Sequence, residues 1–181
     1  MIKGSIDISH INYQLLEQTV FSERTETMEA GGYWATLGVN TPDFPPNSAV
    51  VHQTFGDGCP QWANDIASMF SSWLSSYMIA VNKLTPGCFI PPHRDTLYRI
   101  KQKVSNENIN ISEMVPVRIN LFLQNKEIGH IFEMEGKFLD DYKQGDFLII
   151  TPDKSHSVAN LGYLNRYTMQ ITGFARTEDI L

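Results

Sequence analysis

The chain has little cysteine: two residues in 181, Cys59 and Cys88, far apart and outside any CxxC pattern. Stability must therefore come from a buried core rather than from disulfide staples, and two free thiols in a reducing compartment are expected. Long apolar runs are missing too. No stretch reaches the roughly 18 uncharged apolar residues of a membrane helix, and the opening MIKGSIDISHINYQ lacks the apolar segment of a secretory signal. A cytoplasmic protein that does not enter a membrane is the expectation. Basic residues are outnumbered, 14 Lys and Arg against 20 Asp and Glu for a net charge of −6, and they form no cluster. A surface that tracks phosphates is disfavoured, and so is a nucleic-acid partner. Internal repeats and low-complexity linkers are absent. What remains is a chain long enough for a single domain, 1–181, with a real core.

The texture changes near residue 78. Upstream the chain is turn-rich, as at Gly31-Gly32 and at Thr41-Pro42-Asp43-Phe44-Pro45-Pro46, with a short strand expected at 49–55. Residues 60–77 read as a helix. Trp62, Ile66, Met69, Phe70, Trp73 and Tyr77 recur at steps of three and four, serines largely fill the other face, and Pro60 suits the first turn. Such a stripe packs against a sheet. Downstream, residues 77–84, 115–123, 128–134, 146–151, 157–159 and 165–174 are short β-rich runs punctuated by glycine and proline. The pattern predicts a mainly β sandwich or barrel at 78–175, flanked by an N-terminal region 1–77 that carries the helix. The polar stretch between Ile100 and Met114 reads as a mobile surface loop.

The chemistry concentrates in the second half. In Pro91-Pro92-His93-Arg94-Asp95, an extended chain sends His93 and Asp95 to one face and Arg94 to the other. His156 follows a strand and a Pro-Asp turn and supplies a third ligand. Two histidines and one carboxylate with the opposite side open form the facial triad favoured by non-heme Fe(II) oxygenases, where a 2-oxo acid and dioxygen take the open positions. Ten residues later Arg166 shares a strand face with Thr168. A guanidinium fork beside a hydroxyl suits a carboxylate, and its expected partner is the distal carboxylate of 2-oxoglutarate. Arg118 and Asn120 also share a face and fall to either 2-oxoglutarate or the substrate. Arg118 has an equal claim to an acid at the core rim, such as Asp140 or Asp141. Tyr98 and Arg99, with Arg118, are the candidate substrate contacts. His10, His52 and His130 read as ordinary polar residues, although His130 sits on a strand that could face the site.

On these residues the chain resembles the Fe(II)/2-oxoglutarate-dependent oxygenases, in particular their aspartyl/asparaginyl β-hydroxylase and proline-hydroxylase branch. The resemblance spans roughly 80–175: His93-x-Asp95, Arg118-x-Asn120, the Gly145-Asp146 strand entry, His156-Ser157-Val158-x-Asn160, and Arg166. It implies a double-stranded β-helix (a cupin-like jelly roll), with Fe(II), 2-oxoglutarate and O2 required and succinate and carbon dioxide released. It implies hydroxylation of a free amino acid or a peptide side chain, with no catalytic side chain beyond the metal ligands. Asn120 stands where relatives often carry a second histidine. The rival expectation is a cupin-type metal protein or a jelly-roll binding module without 2-oxoglutarate turnover.

Overall fold

The computed structural model describes residues 3–21, 23–26 and 50–180; the turns expected at 31–32 and 41–46 lie outside the described residues. Its strands are β1 (Lys3–Ser5), β2 (Glu23–Glu26), β3 (Val50–Phe55), β4 (Ser75–Leu84), β5 (Phe89–Arg94), β6 (Met114–Phe122), β7 (His130–Met134), β8 (Lys137–Phe138), β9 (Asp146–Ile150), β10 (Ser155–Asn160) and β11 (Arg166–Arg176). The helices are α1 (Tyr13–Glu17), α2 (Gln61–Ser68) and α3 (Tyr98–Asn106). Seven strands form one sheet in the order β1-β9-β6-β11-β4-β3-β2, and four form the other, β5-β10-β7-β8. Every pairing is antiparallel. Within this frame β4-β11-β6-β9 faces β5-β10-β7-β8, and each strand from the first half of the core neighbours strands from the second. That interleaving is the double-stranded β-helix, a mainly β jelly roll.

Side-chain parity explains what lies inside and what lies outside. Along a strand, alternate residues face opposite sides of the sheet. The odd-numbered Ile79 and Val81 of β4, Val117, Ile119 and Leu121 of β6, Phe147 and Ile149 of β9, and Tyr167, Met169 and Ile171 of β11 share one cluster with Leu16 of α1 and Ala63, Ile66 and Ala67 of α2. The main hydrophobic core therefore lies on the outer face of the large sheet, beneath the N-terminal helices. Each fully buried Ile or Leu there contributes roughly 1.5–3 kcal/mol relative to exposure. The even-numbered residues face into the barrel. On β9 and at the end of β6 they are apolar, with Phe122, Leu148 and Ile150 packed on Phe132, Met134 and Tyr142. On β4, β11 and the rest of β6 they are polar: Asn82, Arg118, Asn120, Arg166, Thr168 and Gln170. The interior is a site and the exterior is the core.

Two expectations are corrected. The helix expected over 60–77 stops at Ser68, with Pro60 as its N-cap. Turns follow, and the chain enters β4 at Ser75, with Ser76 at φ 47°. Ile66 and Phe70 are buried as the stripe requires, whereas Met69 and Trp73 are exposed and Tyr77 lies on β4. The serines that looked like a solvent face are weak helix formers and good turn residues, and they end the helix. Conversely, the expected loop between Ile100 and Met114 contains α3. Its buried Ile100 and Val104 stand four residues apart and pack with Leu97 and Phe174. An i, i+4 apolar pair inside a polar run is enough to seat a short helix when a strand face is waiting for it. Among the described residues no helix is long and apolar enough to cross a membrane. Cys59 and Cys88 are both buried and do not form a disulfide with each other.

Candidate metal centre

β5 is an edge strand of the small sheet, and its pairing with β10 shifts register between His93 and Ile90, so Pro91-Pro92 fall where the ladder is irregular. The prolines keep the segment extended, so His93 and Asp95 share a face while Arg94 turns away and donates from Nε to the Asp153 carbonyl at 2.9 Å. His156 on β10 is the cross-strand partner of His93. That register brings together two histidines 63 positions apart in sequence, with ring centroids 4.3 Å apart. Asp95 completes the group. Its Oδ1 lies 3.8 Å from His93 Nε2 and its Oδ2 lies 3.6 Å from His156 Nε2. One ligand atom from each of the three residues falls within 4.8 Å of the others.

Local bonding fixes which atoms face inward. His93 Nδ1 lies 2.8 Å from the Pro91 carbonyl, and His156 Nδ1 lies 3.4 Å from the Lys154 carbonyl. A carbonyl only accepts, so each Nδ1 carries the proton and each Nε2 lone pair points toward Asp95. Burial, reinforced by the neighbouring His156 ring, lowers the His93 pKa from 6.5 to about 4. Burial also lowers that of His156, against the opposing pull of Asp95. Both rings are neutral at neutral pH, the form a metal requires. Arg118 Nη1 donates to Asp95 Oδ1 at 2.6 Å and Arg118 Nε donates to Thr172 Oγ1 at 3.3 Å. Asp95 Oδ2 is buried without a hydrogen-bond partner among the described residues. A buried carboxylate oxygen left bare beside the His156 lone pair, in a cluster with His93, is what a divalent cation would satisfy. The donor set, two nitrogens and one carboxylate oxygen, fits Fe(II).

The triad lines a cavity of about 480 Å³. Along β11, Arg166, Thr168, Gln170 and Thr172 present one inward face to it. Arg166 is 3% exposed and its guanidinium sits 5.8 Å from the Phe122 ring. Its Nε and Nη2 have no hydrogen-bond partner among the described residues, nor does Asn120 Nδ2. These are donors aimed at an acceptor-rich ligand.

The sequence-derived residues are thus distributed as follows. His93, Asp95, His156, Arg166, Thr168 and Asn120 meet in one cavity. Arg118 lines it too, but its guanidinium is bound to Asp95 rather than to Asp140 or Asp141, so it acts through a ligand-bearing side chain. Tyr98 and Arg99 lie on the first turn of α3 at the cavity wall, with Tyr98 61% exposed and its hydroxyl accepting from Gln102. His130 is neither a surface residue nor part of the cavity lining; it is 1% exposed, with Nε2 3.3 Å from the Leu164 carbonyl. Sequence reasoning passed over Gln53, Asn82 and Gln170, although Gln170 follows Arg166 and Thr168 at the same parity. Gln53 donates to Asn82 Oδ1 at 2.7 Å across β3 and β4.

No protein-family model matches the chain, and no curated protein matches it. Among solved structures it is similar to a predicted oxalate decarboxylase from Thermotoga maritima, at 16% identity over 69% of this chain and 81% of that one, TM-score 0.41. It is also similar to a double-stranded β-helix protein from Klebsiella pneumoniae, at 13% identity over 74% and 88%, TM-score 0.40. A Cupin 2 conserved barrel domain protein from Salinispora arenicola is similar at 10% identity over 68% and 75%, TM-score 0.40. Likenesses this loose say nothing about chemistry; the strand order given above is what makes this chain a double-stranded β-helix.

Proposed function

We propose that the protein is an Fe(II)- and 2-oxoglutarate-dependent oxygenase that hydroxylates a C–H bond of a small molecule or a peptide side chain. One observation carries this reading. A single cavity holds a carboxylate clustered with two imidazoles, one of its oxygens bare, and, on its opposite sheet, a buried guanidinium with two unpartnered nitrogens. The first complements a cation and the second an anion.

His93, Asp95 and His156 would hold Fe(II), and Arg166 with Thr168 would hold the far carboxylate of 2-oxoglutarate, beside Asn120. Bound there, Fe(II) with 2-oxoglutarate and O2 supplies the oxidising power to convert C–H to C–OH, with succinate and carbon dioxide as by-products. The chain itself binds, orients and keeps water out. The Pro91 and Lys154 carbonyls hold the imidazole tautomers, and Arg118 fixes the rotamer of Asp95 so that Oδ2 faces His156. No side chain is needed as a general base.

The Arg118–Asp95 ion pair also supports a second reading, because it neutralises the carboxylate without any metal. The protein would then be a jelly-roll binding module, or a cupin-type metal protein that turns over no 2-oxo acid. O2-dependent release of succinate from 2-oxoglutarate by the Fe(II)-loaded chain decides between them. The oxygenase reading requires succinate from the natural sequence and none from Asp95→Ala. Iron uptake with no succinate would leave the second reading.

A further inference from the structure

We infer that the substrate of this cavity is an organic acid without a compensating ammonium group, such as an N-acylated amino acid, and that Arg99 holds its carboxylate. This deepens the oxygenase reading and rests on it for the assignment of Arg166 to the co-substrate.

Charge is the first ground. The chain carries a net charge of −6, yet among the described residues the cavity is lined by three arginines, Arg99, Arg118 and Arg166, and by a single acid, Asp95. Arg118 is already paired with that acid at 2.6 Å. Arg166 is set aside for one end of 2-oxoglutarate, whose two charges offset those of the divalent metal. Arg99 is left over. Among the described residues it makes no ion pair or hydrogen bond, and its guanidinium lies 4.7 Å from the centroid of the Phe55 ring. A guanidinium held over an aromatic ring loses little further freedom on binding and keeps N–H groups for a carboxylate.

Position is the second ground. Phe55 stands opposite Ala80 on β4, while Arg166 stands opposite Leu84. Four residues of strand separate the two places by about 13 Å. A five-carbon diacid anchored at Arg166 therefore leaves Arg99 to a second molecule. The third ground is what the wall does not offer. Beyond Asp95, no described acid lines the cavity to meet an ammonium group. Met78, Leu97 and Ile100 flank Arg99 with apolar surface, which suits the carbon skeleton of an acid better than a second charge.

The test is calorimetric titration of the Zn(II)-loaded chain, first with 2-oxoglutarate and then, at saturation, with four leucine probes: N-acetyl-leucine, leucine, N-acetyl-leucinamide and leucinamide. The same set built on glutamine guards against a poor side-chain fit. The proposal requires the N-acetyl acid to bind on the order of tenfold more tightly than its amide and than the free amino acid. Arg99→Gln should erase that preference and Arg99→Lys should retain it. Preference for the ammonium-bearing leucinamide, a preference that survives Arg99→Gln, or no saturable binding of any acid overturns the proposal. The first titration keeps the two readings apart. Loss of 2-oxoglutarate binding with an Arg99-dependent acid preference removes the co-substrate reading alone. The converse pattern removes this inference alone.

Discussion

Replacing Arg166 by methionine pits ligand affinity against protein stability. Arg166 is 3% exposed, and two of its guanidinium nitrogens find no partner among the described residues. An unpaired buried charge costs several kcal/mol in a folded chain. Methionine keeps most of the aliphatic stem and removes the charge, at the expense of the contact with the Phe122 ring 5.8 Å away, worth about 0.5–2 kcal/mol. The ligand-free variant should therefore melt at the same temperature as the parent or higher. For 2-oxoglutarate the balance is reversed. Losing two hydrogen bonds to a charged group at about 1.5 kcal/mol each comes to about 3 kcal/mol, or roughly 150-fold in Kd. Scanning calorimetry of the Zn(II)-loaded proteins reads both quantities. At a hundred times its Kd, 2-oxoglutarate stabilises the parent by about 2.7 kcal/mol, a rise of roughly 5–10 °C for a chain of this size. At the same concentration the variant should shift by no more than about 1 °C. A variant that melts several degrees lower on its own yet keeps the full ligand shift would make Arg166 a structural residue and refute the reasoning.

Three further outcomes follow from the geometry. The His93 pKa is lowered by burial to about 4, so the metal-free fold holds its full stability above about pH 6.5 and loses roughly 3 kcal/mol as the pH falls from there toward 4; urea unfolding at several pH values measures this, and a flat profile contradicts it. Arg118→Met leaves the Asp95 carboxylate buried without its ion pair and should cost the metal-free chain about 3 kcal/mol, less when Zn(II) is bound; equal losses with and without metal would show that Asp95 and the metal do not meet. Ile100→Ala, at a position 1% exposed between α3 and β11, should cost about 2–4 kcal/mol in urea unfolding, whereas a surface loop at this position would lose less than about 0.5 kcal/mol.

The parts of the site that depend on local geometry were legible in the sequence. A two-residue step on an extended, proline-bearing strand fixes His93 and Asp95 on one face whatever the rest of the chain does, and the same parity aligns Arg166 with Thr168. The cross-strand register of His93 with His156 is set by the pairing of β5 and β10 and has no trace in either segment alone. The partner of Arg118 was hidden for the same reason, since it depends on how closely two sheets approach. Helix boundaries failed where periodicity competed with propensity. Aromatic spacing carried the expected helix past Ser68 into serines that make turns, while in α3 only Ile100 and Val104 marked the apolar face among lysines, serines and asparagines. The placement of the core on the outside of the large sheet follows from odd-numbered apolar residues in β4, β6, β9 and β11, a parity visible only once the strand boundaries are known.

Anaerobic titration of the chain with Fe(II) and 2-oxoglutarate, followed by visible absorbance, tests the central claim most directly. Chelation of the 2-oxo acid to iron held by His93, Asp95 and His156 should give a weak charge-transfer band that saturates at one iron per chain and is absent from His156→Ala. Iron binding with no band, or a band of the same strength in the variant, would contradict the account.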